Sequence, residues 1–92
     1  MSEYIEIETE LSDDGEQMEI YTNLSLAVEG VEEYESVEEM AEGSPVAQAL
    51  AMIDGITRLH IEEGDMIVAK LPDTPWHVIV SDISAALKDF FL

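Results

Sequence analysis

Two kinds of side chain in this sequence have chemistry to offer, imidazoles and carboxylates. His60 and His77 are the only imidazoles, and a two-histidine metal site would need them brought together with a carboxylate. The densest acidic run is Glu32, Glu33, Glu35, Glu38, Glu39 and Glu42. Hard cations such as calcium or iron favour carboxylate oxygens, yet the spacing lacks the Asp-x-Asp-x-Asp-Gly order of a dedicated calcium loop. A solvated acidic face accounts for the run, and lone rings at a surface or packing edge account for the histidines. With no cysteine, the chain cannot form a disulfide, hold zinc or an iron-sulfur cluster through sulfur, or present a thiol nucleophile. No nucleophile elbow and no glycine-rich phosphate loop is found. The expectation is a protein that is not an enzyme and holds no cofactor or metal.

The charge balance excludes further classes. Three Lys and Arg stand against 22 Asp and Glu, a net −19 on 92 residues. A binder of nucleic acid or of an anionic membrane needs cations to neutralise phosphate, so neither is expected as a partner. The asymmetry is internal as well: residues 1–46 hold fifteen acids and no base, while residues 47–92 hold seven acids with Arg58, Lys70 and Lys88. Such a coat is also that of a protein kept soluble in molar salt. At 47% apolar residues the composition is nevertheless that of a folded chain and not of an acidic tail. The length suits one small domain, residues 1–92. Met1 to Glu10 has no basic stretch followed by an apolar one, and the longest apolar run, Ala49 to Ile53, is far too short for a bilayer. A cytoplasmic protein is expected.

The elements that must position these groups follow from periodicity. From Tyr4 to Leu11, Ile5, Ile7, Thr9 and Leu11 alternate with Tyr4, Glu6, Glu8 and Glu10, the period-two pattern of a strand with one wet face. Ser12-Asp13-Asp14-Gly15 is turn chemistry, and Gln17 to Leu24 alternates again, which predicts a hairpin. The stretch from Leu26 through Gly30 to Glu35 fits either an edge strand or a loop. Ser36-Val37-Glu38-Glu39 has capping-box spacing and predicts one or two helical turns to Ala41. Ser44-Pro45 starts a stronger helix, with Val46, Ala49, Leu50 and Ile53 on one stripe and a stop at Asp54-Gly55. Ile56 to Ile61 and Asp65 to Leu71 form a second hairpin around Glu62-Glu63-Gly64. Pro72-Asp73-Thr74-Pro75 then opens a last helix carrying Trp76, Ile79, Val80, Ile83, Leu87 and Phe90 at helical spacing. The expected architecture is α+β and two-layered, a mainly antiparallel β-β-α-β-β-α sheet with two helices on one face. Leu50, Ile53, Ile83, Leu87 and Phe90 should be its central buried residues. Phe91 and Leu92 lie off the stripe, and core packing or a fraying end accounts for them.

Gly43-Ser44-Pro45-Val46-Ala47-Gln48-Ala49-Leu50, followed by Ile53-Asp54-Gly55-Ile56, resembles the N-terminal domain of Nfu/NifU-type iron-sulfur cluster scaffold proteins. The resemblance continues through Asp65-Met66-Ile67-Val68-Ala69-Lys70, Trp76 and Ile83-Ser84-Ala85-Ala86-Leu87-Lys88-Asp89-Phe90-Phe91. The first hairpin matches in pattern only. Members usually carry a Pro-rich Thr-x-Asn-Pro-Asn segment before the second strand, and Thr9-Glu10-Leu11-Ser12-Asp13-Asp14 stands in its place here. In that family the cluster chemistry belongs to a separate domain with a Cys-x-x-Cys pair, and the N-terminal domain is an accessory that positions the cluster domain or recognises clients and donors. The resemblance thus implies a non-catalytic module whose partner is a protein of iron-sulfur assembly, a Cys-x-x-Cys scaffold domain, a cluster donor or a client. A free-standing copy would act in trans.

Apolar side chains off the helical stripe are the expected docking residues. Ala51 and Met52, with Ile56, would make a small partner-binding surface ringed by acids. The alternative class, an acidic interaction protein or nucleic-acid mimic, rests on charge alone. Such a decoy needs carboxylates spaced like phosphates along one face, whereas here they lie in strand alternation and one loop.

Overall fold

A computed structural model of the chain describes residues 6–24, 26 and 30–91. Alternation is realised as two hairpins. The first pairs β1 (Ile7–Leu11) with β2 (Gln17–Thr22), and its turn is closed by Ser12 and Asp14. The Ser12 hydroxyl donates to Asp14 Oδ1 at 2.7 Å and accepts from the Gln17 N–H at 3.1 Å. Tyr4 and Ile5 of the predicted first strand lie outside the described residues. The uncertain stretch contains a short edge strand, β3 (Val31–Tyr34).

Two short helices follow, α1 (Val37–Ala41) and α2 (Pro45–Ala51). Ser36 caps α1 as expected, its hydroxyl accepting from the Glu39 N–H at 3.2 Å. Glu39 reaches back one residue further than a strict capping box, accepting from the Glu35 N–H at 3.1 Å. The second hairpin joins β4 (Ile56–Glu62) to β5 (Asp65–Lys70), and α3 (Trp76–Phe91) completes the described chain.

All strand pairs are antiparallel, and the order across the sheet is β1-β2-β5-β4-β3. Met18 and Ile20, Met66 and Val68, and Leu59 and Ile61 share the face beneath the helices. Against them pack Met40 of α1, Val46, Ala47 and Leu50 of α2, and Ile79, Ile83 and Leu87 of α3. Among the described residues no element covers the opposite face, which carries Glu10, Glu19, Tyr21, His60, Glu62, Asp65 and the half-buried Ile67.

Three expectations need correction. Ile56 does not join a surface patch: it is only 2% exposed. Strict alternation back from Leu59 would turn Ile56 outward, but the register shifts between Ile56 and Arg58, and this bulge returns Ile56 to the core face. Phe90 is not central, being 45% exposed. The buried stripe of α3 advances strictly by four, Ile79, Ile83, Leu87, and so reaches Phe91, which packs against the core in its place. Finally, α2 ends at Ala51 and not at Asp54.

Two glycines fix how the layers meet. At Gly55, between α2 and β4, φ is +100° and an added Cβ would lie 2.7 Å from Thr74 Cγ2. A Cβ at Gly43 would run into the Tyr34 ring, whose hydroxyl donates to Glu32 at 2.7 Å and accepts from the Ser44 N–H at 3.2 Å. On the far side, the Trp76 indole N–H donates to the Gly15 carbonyl at 2.7 Å, tying the start of α3 to the first hairpin's turn.

Candidate functional site

The early end of α2 creates the most distinctive surface among the described residues. Ser44 accepts from the Ala47 N–H at 3.3 Å, Pro45 takes the first turn, and the helix then runs only seven residues. Met52 caps it, and the Ile53 N–H closes onto the Leu50 carbonyl at 3.1 Å. That tight exit carries the Ile53 side chain into the core and leaves Met52 86% exposed. Facing it across a groove of about 580 Å³ are Asp82, Ala86, Asp89 and Phe90 of α3. Ala49, Met52, Ile53, Ala86 and Phe90 supply apolar walls and floor, while Asp54, Asp82 and Asp89 stand at the rim. No Lys or Arg lines it.

Of the three residues expected to bind a partner, Met52 is placed in this groove, Ala51 is half-buried beside it, and Ile56 lies in the core. Sequence reasoning missed Asp82, Ala86, Asp89 and Phe90. Their signal was present as an acid-small-acid-aromatic stripe at i, i+4, i+7 and i+8, the spacing of one helical face.

The other chemistry-bearing residues are dispersed. Glu33 stands on β3, Glu38 and Glu39 in the first turn of α1, and Glu32 accepts from Tyr34. Among the described residues no three His, Asp or Glu side chains are grouped to hold a metal ion. His60 and His77 are not brought together: His60 is on the open sheet face, and His77 is exposed on α3, against the opposite face. His60 bridges two carboxylates, with Nδ1 3.1 Å from Glu33 and Nε2 3.2 Å from Glu62. The Glu62 hydrogen bond, assisted by Glu33 against a partial desolvation, raises its pKa and favours the imidazolium.

Nearby, the Tyr21 phenol donates to Glu19 and is pushed up to about 12, chiefly by that bond and further by the negative charge around it. Both groups are therefore stabilised as hydrogen-bond donors to carboxylates.

Comparison with known proteins identifies the fold and the family. The model of the family "Scaffold protein Nfu/NifU N terminal" matches residues 7–92. NifU-like protein 4, mitochondrial, of Arabidopsis thaliana is 35% identical over 49 residues, which cover 53% of this chain and 17% of that protein's length. A NifU-like protein from Saccharomyces cerevisiae, solved in solution, superposes with a TM-score of 0.75 at 18% identity, over 97% of this chain and 82% of the other. The crystal structure of protein SAV1430 from Staphylococcus aureus gives 0.69 at 18% identity, over 89% and 98%. At such identity the two structures establish likeness of fold, and it is the match over residues 7–92 that settles the family: the chain belongs to the Nfu/NifU scaffold-protein N-terminal family, which is tied to iron-sulfur cluster assembly.

Proposed function

We propose that residues 1–92 act as one non-catalytic recognition module of cytoplasmic iron-sulfur cluster assembly, binding a protein partner and carrying no cluster themselves. The partner is a Cys-x-x-Cys scaffold domain, a cluster donor or a client. The observation that carries this reading is Met52, 86% exposed beside an apolar groove with an acidic rim, on a chain of a scaffold-protein family. An exposed methionine at the mouth of a groove offers an adaptable apolar contact. Thiolate ligation is closed to a chain without cysteine. The acidic first half steers a basic partner, so the association rate should fall as salt rises.

The test has two arms. Anaerobic reconstitution with iron and sulfide should leave the purified chain colourless, and an immobilised Cys-x-x-Cys scaffold domain should retain the wild type better than Met52→Asp. A stable visible-absorbing cluster on the isolated chain would overturn the first part of the proposal. Equal capture of wild type and Met52→Asp would overturn the second.

A further inference from the structure

The α2–α3 groove constrains what can occupy it, and the constraints concern secondary structure, charge and size. One wall is α3, and the other is the end of α2 with its exit turn Met52–Asp54; helical hydrogen bonding occupies the backbone of the first, and the Met52 and Ile53 N–H groups are already taken by the Ala49 and Leu50 carbonyls. An extended peptide that binds by adding a strand needs a free sheet edge, which this site does not offer. Contact here must be made by side chains alone, the mode in which a helix lays an apolar stripe between two others. The small residues Ala49 and Ala86 face the groove from opposite walls, leaving room for a third helix to come close. The stripe from Asp82 to Phe90 spans eight residue steps of α3, about 12 Å or two helical turns, enough for three or four anchoring side chains at i, i+3, i+4 and i+7.

Charge then selects among helices. Three aspartates and no cation line the groove, so an acidic helix would meet uncompensated repulsion. A second copy of this chain would bring another −19 and a rim of the same sign. What complements the site is an apolar stripe flanked by Lys or Arg. Resting on the reading of the chain as a recognition module, we infer that the α2–α3 groove receives a basic amphipathic helix of the partner protein, its apolar residues between Met52 and Phe90 and its cations against Asp54, Asp82 and Asp89.

The methionines allow a direct test. Of the five methionines, Met18, Met40 and Met66 are core residues and Met52 is exposed, so methyl-labelled methionine gives one reporter at the groove and three internal references beside the signal of Met1. The probe is a synthetic helix of about 18 residues, long enough to form readily, with leucine on one face and lysine on the other. A peptide of identical composition with scrambled leucines and a Glu-for-Lys analogue serve as controls. The basic amphipathic peptide should shift the Met52 methyl and the Ala86 and Phe90 amides saturably, leaving the core methyls in place. Asp82→Asn with Asp89→Asn should weaken it roughly 10-fold, the size of about two charge-assisted contacts at a wet rim. Glu10→Gln with Glu19→Gln, an equal charge change on the open sheet face, should weaken it less than about 3-fold.

Equal losses from the two double variants, equal binding of the scrambled peptide, or shifts centred on Tyr21 and Ile67 would each show attraction to the acidic coat at large and overturn the assignment. So would a Met52 methyl that moves with protein concentration alone, which would identify a second copy as the occupant. The peptide contains nothing of cluster assembly. Its failure would therefore overturn the groove assignment while capture by the Cys-x-x-Cys domain decides the function separately.

Discussion

Met52 and Ile56 are four positions apart, and the fold places them in opposite environments, 86% and 2% exposed. Ile56→Ala removes three buried carbons, worth about 2.4 kcal/mol at ~0.8 kcal/mol per methylene before any cavity is counted. A site that relaxes poorly adds to this, so the expected loss is ~2.5 to 4 kcal/mol. Met52→Asp deletes a side chain already in water and should stay within ~0.5 kcal/mol. Urea unfolding followed by the fluorescence of Trp76, the only tryptophan, separates the two. With an m-value of about 1 kcal/mol/M for a chain of this size, the midpoint should fall by ~2.5 to 4 M for Ile56→Ala and by no more than ~0.5 M for Met52→Asp. If that fall leaves the variant unfolded in water, its loss is at least the wild-type stability. Similar midpoints for both variants would refute the bulge between Ile56 and Arg58 as the device that seats Ile56 in the core. A large drop for Met52→Asp would also compromise its use as a binding variant.

Three further outcomes follow from particular contacts. The folded-state pKa of His60 is raised, so its contribution is fully present below the unfolded value of ~6.5 and is lost as pH rises through the folded value. Melts between pH ~5.5 and ~8.5 should show this slope in wild type, at most ~1 kcal/mol because both carboxylates face water, and His60→Gln should flatten it. An unchanged slope in the variant would dismiss the bridge. Glu10 directly opposes Glu19, and Glu62 opposes Asp65. Screening by molar KCl should relieve these like-charge pairs by about 1 kcal/mol and raise the melting temperature by ~4 to 8 °C, whereas a flat or falling midpoint would show that the acidic coat does not strain the fold. Gly55→Ala combines a positive φ with a 2.7 Å approach to Thr74 and should destabilise by ~1 to 3 kcal/mol. A neutral result by thermal melt would mean that the α2–β4 turn adjusts freely.

Much of this architecture was legible because burial has a period. The Glu alternation from Glu6 to Glu10, the Ser44-Pro45 start and the Ile79-Ile83-Leu87 spacing each identify an element and its buried face. Sheet order was not legible, since alternation tells which way a residue points and not which strand lies beside it; that β2 pairs with β5 is a property of the assembled layers. Phe90 and Phe91 could not be told apart by periodicity, because steps of three and four both suit a helix and only the sheet beneath α3 chose four. The bulge between Ile56 and Arg58 spans only Thr57 and has no Gly or Pro within it to announce it, while Gly55 just before it reads as the stop of the preceding helix. Met52 was visible as an off-stripe apolar residue, but its groove was not, because the opposite wall comes from α3, thirty residues further on.

The strand order has one more consequence. Both borders of the sheet, β1 and β3, are drawn from the half of the chain that has no Lys or Arg. Open borders are where β proteins join edge to edge into filaments, and charge along them is a common guard. Here Glu8 and Glu10 on one border and Glu32 and Glu33 on the other mean that any two molecules approaching border to border meet the same sign. Molar salt, expected to steady each molecule, shortens the reach of that repulsion to ~3 Å and leaves Leu11, 49% exposed at the end of β1, without that guard. The guard against border-to-border pairing should therefore weaken with salt as the fold steadies, and the concentration at which the chain begins to pair through its sheet edges should fall as its melting temperature climbs.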